Sequence, residues 1–337
     1  MRIKASFSSL LLVLLITSCN NYSKIEITNI ESLSLKVGEG ESVNYGLEFN
    51  AKVLAHFKNG NAEDISGHPN LTLESQFFRQ TEDSKLMLIA KPFSFEDTSY
   101  AVHLILVDEF DSVQSKDQVK LNYQGSIVVL PSTFPGQDGI DAQKGGNTLF
   151  GRDGADGKQG QNGADGDSGD NYTAHIWKED NEIKMMLEDD STGVRCKYKS
   201  LSCDSIFINI SGANGGNGGK GGDGGNGKDG KSIEKGGKLP GNGGNGGNGG
   251  DGGNGGNGGS IIIFLHPNAA HLRENIFVQN HGGNAGMMGL PGLGGDPGAT
   301  ARGQKQGDQG EVGNLGLKGK DGLDGPNPVV SIIAFEI

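Results

Sequence analysis

Residues 242–259 read Asn-Gly-Gly-Asn-Gly-Gly-Asn-Gly-Gly-Asp-Gly-Gly-Asn-Gly-Gly-Asn-Gly-Gly, so glycine fills two of every three positions. Elsewhere a single glycine recurs at every third position, from Gly151 to Gly169 and from Gly307 to Gly325. A flexible Gly-rich linker has no reason to keep such a register. The period therefore predicts ordered structure rather than a disordered linker.

Three glycine-rich excursions carry this period, and each is bracketed by short apolar segments that resemble one another. The repeated unit is thus a strand, an excursion and a second strand. Each excursion also breaks its register near the middle, as at Lys231–Pro240 and at Ala301 with Gln304. We expect three hairpins, hence six antiparallel legs, with all tips at one end. The excursions span 136–169, 212–259 and 282–325.

Proline content separates two physical explanations of the period. A collagen triple helix needs abundant proline, yet residues 136–169 contain none and residues 212–259 contain only Pro240. A polyproline-II helix also has three residues per turn, and glycine on one face lets a neighbouring helix approach and bond laterally. Interior helices need glycine on two faces, so the middle excursion is predicted to form the interior of a bundle.

Such bundles resemble those of the snow flea antifreeze protein and of receptor-binding adhesins at phage tail-fibre tips, although a collagen-like label would also be given to this composition. The resemblance implies architecture more firmly than function. An ice-binding face would present a flat row of small residues, whereas the non-glycine positions here are mostly Asn, Asp and Lys. Ice binding is therefore the least favoured function.

The N-terminal part alternates apolar and polar residues in short runs, from a candidate strand at 24–28 to one at 126–130. Seven or eight short strands in residues 23–131 predict an Ig-like β-sandwich. Residues 51–66, with an Asn-Gly turn, resemble a hairpin of bacterial Ig-like repeats. The expected fold class is all-β plus polyproline-II, with residues 132–337 forming the glycine-rich bundle and its interleaved strands.

The first residues are typical of a signal peptide, because Arg2 and Lys4 precede a short apolar run at 10–16. That run is too short for a transmembrane helix. Ile16-Thr-Ser-Cys19 resembles a bacterial lipobox, which implies a signal peptide at 1–18, a lipidated N-terminus at 19–22 and lipid on Cys19. Ordinary cleavage with an incidental cysteine is the alternative. We expect a lipoprotein held on the cell envelope, at the outer membrane or cell surface.

The net charge disfavours nucleic acid as a partner, and the number of cysteines is compatible with one disulfide. A net charge of −12 disfavours nucleic acid. With Cys19 assigned to lipid, Cys196 and Cys203 form an even pair that suits a disulfide outside the cytosol, and two free thiols are the alternative.

No constellation of side chains predicts an enzyme, a metal site or a cofactor. Residues 225–232 match the phosphate-loop pattern, but glycine triplets precede it and no helix is expected after it. Asp153, Asp156, Asp165 and Asp167 suggest calcium, yet the calcium-binding nonapeptide period is missing, so a solvated acidic face is favoured.

The hairpin tips are the candidate binding surface, with ordinary solvated loops as the alternative. A surface glycan or an outer-membrane protein would be the ligand. Two functions follow: a structural or adhesive surface lipoprotein, or an accessory subunit docked to an outer-membrane complex. The tip candidates are Lys231, Lys235, Lys238, Arg302 and Lys305, with apolar Leu149, Phe150 and Leu239. An apolar stripe at Met287, Met288, Leu290 and Leu293 is expected to pack against a neighbouring leg.

Overall fold

The computed structural model describes residues 26–81, 85–147, 153–232 and 237–336, together with the backbone of Leu14–Leu15. The described chain is all-β: most of its regular structure lies in strands, which form five small sheets. Helix in these residues is limited to two 3-10 segments, Ile27–Asn29 and Pro267–Asn275. Most of the predicted signal peptide, and Cys19, lie outside the described residues.

The N-terminal strands form three antiparallel sheets, in the orders β2-β4-β5, β3-β8-β7 and β1-β6-β9-β10. The predicted hairpin within residues 51–66 is confirmed, since β4 and β5 pair around a turn where Gly60 has a φ of 86°. The strands are β1 (Leu14–Leu15), β2 (Ile30–Val37), β3 (Glu48–Phe49), β4 (Ala51–Phe57), β5 (Ala62–Asp64), β6 (Leu71–Glu74), β7 (Phe78–Gln80), β8 (Leu86–Leu88), β9 (Ser99–Val107) and β10 (Ser112–Lys120).

One strand prediction in this part was wrong, and one predicted strand belongs to a different sheet. The described portion of 24–28 is not a strand, because the Asn29 N–H donates to the Glu26 carbonyl and closes a 3-10 turn. The strand predicted at 126–130 is confirmed as β11 (Ile127–Val129), but it does not pair with the N-terminal strands. It pairs in parallel with Ile206–Asn209, far along the chain.

The remaining strands form two sheets from which the glycine-rich excursions leave and to which they return. One sheet is parallel, in the order β11-β15-β17, and the other has the order β14-β13-β12-β16-β18 with β12, β16 and β18 parallel. Their buried side chains belong to one continuous core. The strands are β12 (Tyr172–Glu179), β13 (Glu182–Asp189), β14 (Arg195–Ser200), β15 (Ile206–Asn209), β16 (Ile261–Leu265), β17 (Ile276–Gln279) and β18 (Val329–Ile332).

The excursions form six legs, and hydrogen bonds recur between them at every third residue. The Gly139 N–H donates to the Asn217 carbonyl at 2.7 Å, and the Gly218 N–H to the Met287 carbonyl at 2.8 Å. Legs A, C and E thereby form one parallel layer, legs B, D and F form a second, and consecutive legs are antiparallel across the two layers. We label the legs A (136–147), B (153–169), C (212–230), D (241–259), E (282–299) and F (307–325).

The middle excursion forms the interior of this two-layered rod, as predicted. Legs C and D each hydrogen-bond to four other legs, whereas the outermost legs A and F bond to two. In leg D, a Cβ on Gly246 would lie 2.0 Å from the Gly292 carbonyl oxygen. A Cβ on the next residue, Gly247, would lie 1.9 Å from the Lys158 carbonyl oxygen. Two glycines in each triplet are therefore a packing requirement.

The N-terminal strands pack directly on the sheets that carry the rod. The Lys197 N–H of β14 donates to the Pro92 carbonyl at 2.7 Å. The rings of Tyr45 and Tyr198 meet edge to face with centroids 6.0 Å apart, and Gly46 approaches the side chain of Val128. One buried core thus runs through both parts of the chain.

The predicted disulfide is absent, because Cys196 and Cys203 are both free thiols. Cys196 lies in β14 and is buried, and the strand continues to Ser200 before the chain bends. The Cys203 thiol is engaged elsewhere, donating to the Ser205 carbonyl at 3.3 Å. Burial raises the pKa of both thiols, which disfavours their reactive thiolate forms.

Candidate functional site

At the second hairpin tip, an isolated antiparallel β-bridge pairs Lys231 with Lys238. The Lys231 N–H donates to the Lys238 carbonyl at 2.7 Å, so these two lysines lie side by side where leg C ends. Gly237 adopts a φ of 52°, which favours glycine, and its N–H donates to the Ser232 carbonyl. Lys235 lies outside the described residues. Lys231 and Lys238 are exposed.

The third hairpin turns at residues 301–304. The Gln304 N–H donates to the Ala301 carbonyl at 3.0 Å, and Gly303 has a φ of 79° with open space around its α-carbon. Arg302 lies within this turn and Lys305 directly follows it, and both are exposed. The third tip therefore places two cationic side chains on a short, glycine-dependent loop.

Gln304 joins the two tips. Its Nε2 atom donates to the carbonyl oxygens of both Lys231 and Lys238, each at 2.8 Å, while its Oε1 accepts from the Ala301 N–H at 3.3 Å. A Cβ on Gly230 would lie 2.1 Å from that Oε1, so a side chain there would displace the Gln304 carboxamide from this position. The residue that breaks the glycine register in the sequence is thus the one that holds neighbouring tips together.

The structure brings together four of the five predicted tip residues, namely Lys231, Lys238, Arg302 and Lys305. Leu239 is also there and is 67% exposed. The second and third tips lie at the same end of the rod, as predicted. Leu149 and Phe150 of the first tip lie outside the described residues.

A ladder of asparagine and aspartate side chains runs along the rod, and sequence reasoning missed it. The Asn217 Oδ1 accepts from the Met287 N–H at 2.9 Å, and the Asp156 Oδ1 accepts from the Asn245 N–H at 2.6 Å. In leg D, Gly243 and Gly244 bond to legs F and C through their own N–H groups, so all three amides of that triplet have partners. The high frequency of Asn and Asp at the non-glycine positions was the sequence signal that could have revealed this ladder. The Asn and Asp acceptors are Asp138, Asp141, Asn147, Asp153, Asp156, Asn162, Asp165, Asn214, Asn217, Asp223, Asn226, Asp229, Asn242, Asn245, Asn248, Asp251, Asn254, Asn257, Asp321 and Asp324.

The aspartates that suggested a calcium site act as hydrogen-bond acceptors for backbone N–H groups. Asp153 and Asp165 each accept a backbone N–H of leg D, and Asp167 accepts the Phe134 N–H. The Leu293 N–H holds the pKa of Asp223 below its usual value, with a smaller contribution from Lys220. Across the described ranges, no cluster of three or more His, Cys, Asp or Glu side chains could hold a metal ion.

No protein-family model, curated protein or solved structure matches the chain. Among the described residues, no helix is long and apolar enough to cross a membrane.

Proposed function

We propose that the chain is a lipid-anchored surface protein that presents a rigid glycine-helix rod and binds a ligand with the joined hairpin tips. The rod would be a bundle of six polyproline-II helices, and the N-terminal strands would form an Ig-like sandwich at its base. The three-residue hydrogen-bond period supports the helix assignment, because only a helix with three residues per turn directs every third N–H toward the same neighbour.

The observation that carries the binding proposal is the Gln304 clamp. Loops that bind ligands are usually held by a rigid scaffold, and here one carboxamide fixes two tips through the carbonyls of Lys231 and Lys238. The clamp holds the cationic side chains of Arg302 and Lys305 beside those lysines. Since the whole chain carries a net charge of −12, these tips contrast with the rest of the molecule. An acidic surface glycan is the ligand that this chemistry fits.

The proposal is tested with polygalacturonate, a carboxylated polysaccharide, and with neutral dextran as the reference ligand. We expect the full chain to bind polygalacturonate in a salt-sensitive manner and to ignore dextran. Substitution of Arg302→Glu with Lys305→Glu should abolish this binding. The matched control carries the same charge change at Lys116→Glu with Lys120→Glu, two exposed residues of β10, and should bind normally. Equal loss in both double variants, or none in either, would reject a tip site.

The cysteine at position 19 supports surface anchoring through its lipobox resemblance. The competing function, an accessory subunit of an outer-membrane complex, is separated from it by pull-down of the full chain from solubilised membranes. A stoichiometric outer-membrane partner would favour the subunit, whereas its absence together with retained polygalacturonate binding would favour the free-standing adhesin.

A further inference from the structure

One long edge of the rod, formed by legs E and F, is apolar and exposed. We expected the stripe on leg E to pack against a neighbouring leg, and this was wrong, since Met287 and Leu290 are 68% and 62% exposed. The reason is that the glycines of leg E occupy the positions facing legs C and D. Leg F carries four exposed apolar residues, of which all but Leu323 lie level with this stripe. We call the following set the E/F edge: Met287, Met288, Leu290, Leu293, Val312, Leu315 and Leu317.

Between legs E and F, the ladder of side-chain acceptors is limited to the base of the rod. Near the base of the rod, the Asp321 Oδ1 of leg F accepts from the Ala285 N–H of leg E at 2.8 Å. Six residues further along in the same register, Leu315 stands opposite Pro291, which has no N–H to satisfy. Side chains with a Cβ prevent another glycine leg from approaching closely. The E/F edge therefore meets a partner through side chains rather than through the backbone hydrogen bonds that join the legs.

Charges on leg F flank the apolar centre in a definite order. Glu311 lies on the tip side of Leu315, and Lys318 and Lys320 lie on the base side, all of them exposed. Nine residues separate Glu311 from Lys320, which is about 28 Å at the rise of a polyproline-II helix. Their midpoint falls beside Leu315, and Leu315 lies level with Leu290 in the antiparallel pairing of legs E and F.

We infer that a second copy of this chain docks on the E/F edge as an antiparallel, two-fold symmetric dimer. A two-fold axis perpendicular to the rods at the level of Leu290 and Leu315 makes the interface self-complementary. It brings apolar side chains together at the centre and places Glu311 of each copy opposite Lys320 of the other. Seven apolar side chains from each copy make a small contact, which fits a weak, reversible interface.

Cysteine cross-linking of the full chain tests the axis. In Leu290→Cys, two identical thiols would meet across the two-fold axis, so mild oxidation should give a dimer that reducing agent dissolves. The matched control is Ile140→Cys, because Ile140 is 67% exposed on leg A at the opposite edge of the rod. Both variants keep the native cysteines, so any background is shared. Cross-linking of Leu290→Cys alone is the expected result, and equal cross-linking of both would overturn the proposal.

Charge reversal tests the orientation. In the Leu290→Cys background, Glu311→Lys should lower the cross-linked fraction about fivefold, because two exposed ion pairs become repulsive. Adding Lys320→Glu should restore it, since the reversed charges again face each other in an antiparallel dimer. Cross-linking that ignores both changes would overturn this arrangement. A different set of results would assign the edge to lipid instead. In that case the chain is monomeric, Cys19→Ala floats with phosphatidylcholine vesicles, and adding Leu315→Lys abolishes the flotation.

Discussion

A Cβ built on Gly247 would lie 1.9 Å from the carbonyl oxygen of Lys158, in a neighbouring leg. That oxygen also accepts the Gly222 N–H at 2.9 Å, so it cannot move without breaking an interior hydrogen bond. Backbone of one leg therefore touches backbone of the next, and the rod tolerates no side chain at this position.

We predict that Gly247→Val unfolds the rod. Forcing a branched side chain between two backbones should lower the free energy of unfolding by about 3 kcal/mol or more. The measurement is thermal unfolding followed by circular dichroism. Gly146→Val is the control, because nothing lies within 4 Å of a Cβ at Gly146. An unchanged melting temperature in Gly247→Val would leave a flexible linker as the better description.

The side-chain ladder makes a second prediction. Asn217→Leu removes the acceptor of the Met287 N–H and should destabilise the chain by about 1 kcal/mol. Gln159→Leu is the control, because Gln159 lies between the acceptors Asp156 and Asn162 of leg B and its own side chain accepts no backbone N–H of leg D. Chemical denaturation of both variants measures the difference. If the two variants lose equal stability, the ladder does not stabilise the rod.

The pH dependence of stability should contain a contribution from Asp223. Because the Leu293 N–H lowers the pKa of the folded carboxyl below 3.8, the charged form stabilises the fold above that pH. This contribution is lost as the pH falls through the lowered pKa. Asp223→Asn keeps the acceptor but does not titrate, so its melting temperature should fall less than that of the wild type between about pH 5 and pH 2. Identical profiles would contradict this role.

The lipid anchor gives a fourth prediction. Cys19→Ala should move the protein from the membrane fraction to the soluble fraction, because the diacylglycerol attachment is lost. Cys203→Ala is the control and should remain in the membrane fraction, since that thiol is half-buried and engaged with Ser205. Continued tight attachment of Cys19→Ala would refute the anchor.

The glycine period predicted the six legs and the interior place of residues 212–259, because close backbone packing admits only glycine. The role of Asn217 could not be predicted in the same way. Its partner, Met287, lies 70 residues further along the chain, so the bond is visible only once legs C and E are known to be parallel neighbours. The exposure of Leu290 was also missed, because the sequence does not say which face of leg E the other legs cover.

Hydrogen exchange of the leg D amides is the most direct test of whether the glycine-rich legs form a packed rod. The glycine N–H groups from Gly243 to Gly258 donate to carbonyls of legs C and F at 2.8 to 2.9 Å, in the middle of the rod. We therefore expect these glycine amides to exchange as slowly as those of the buried strands. Exchange of the same amides at the rate of an unstructured chain would contradict the rod.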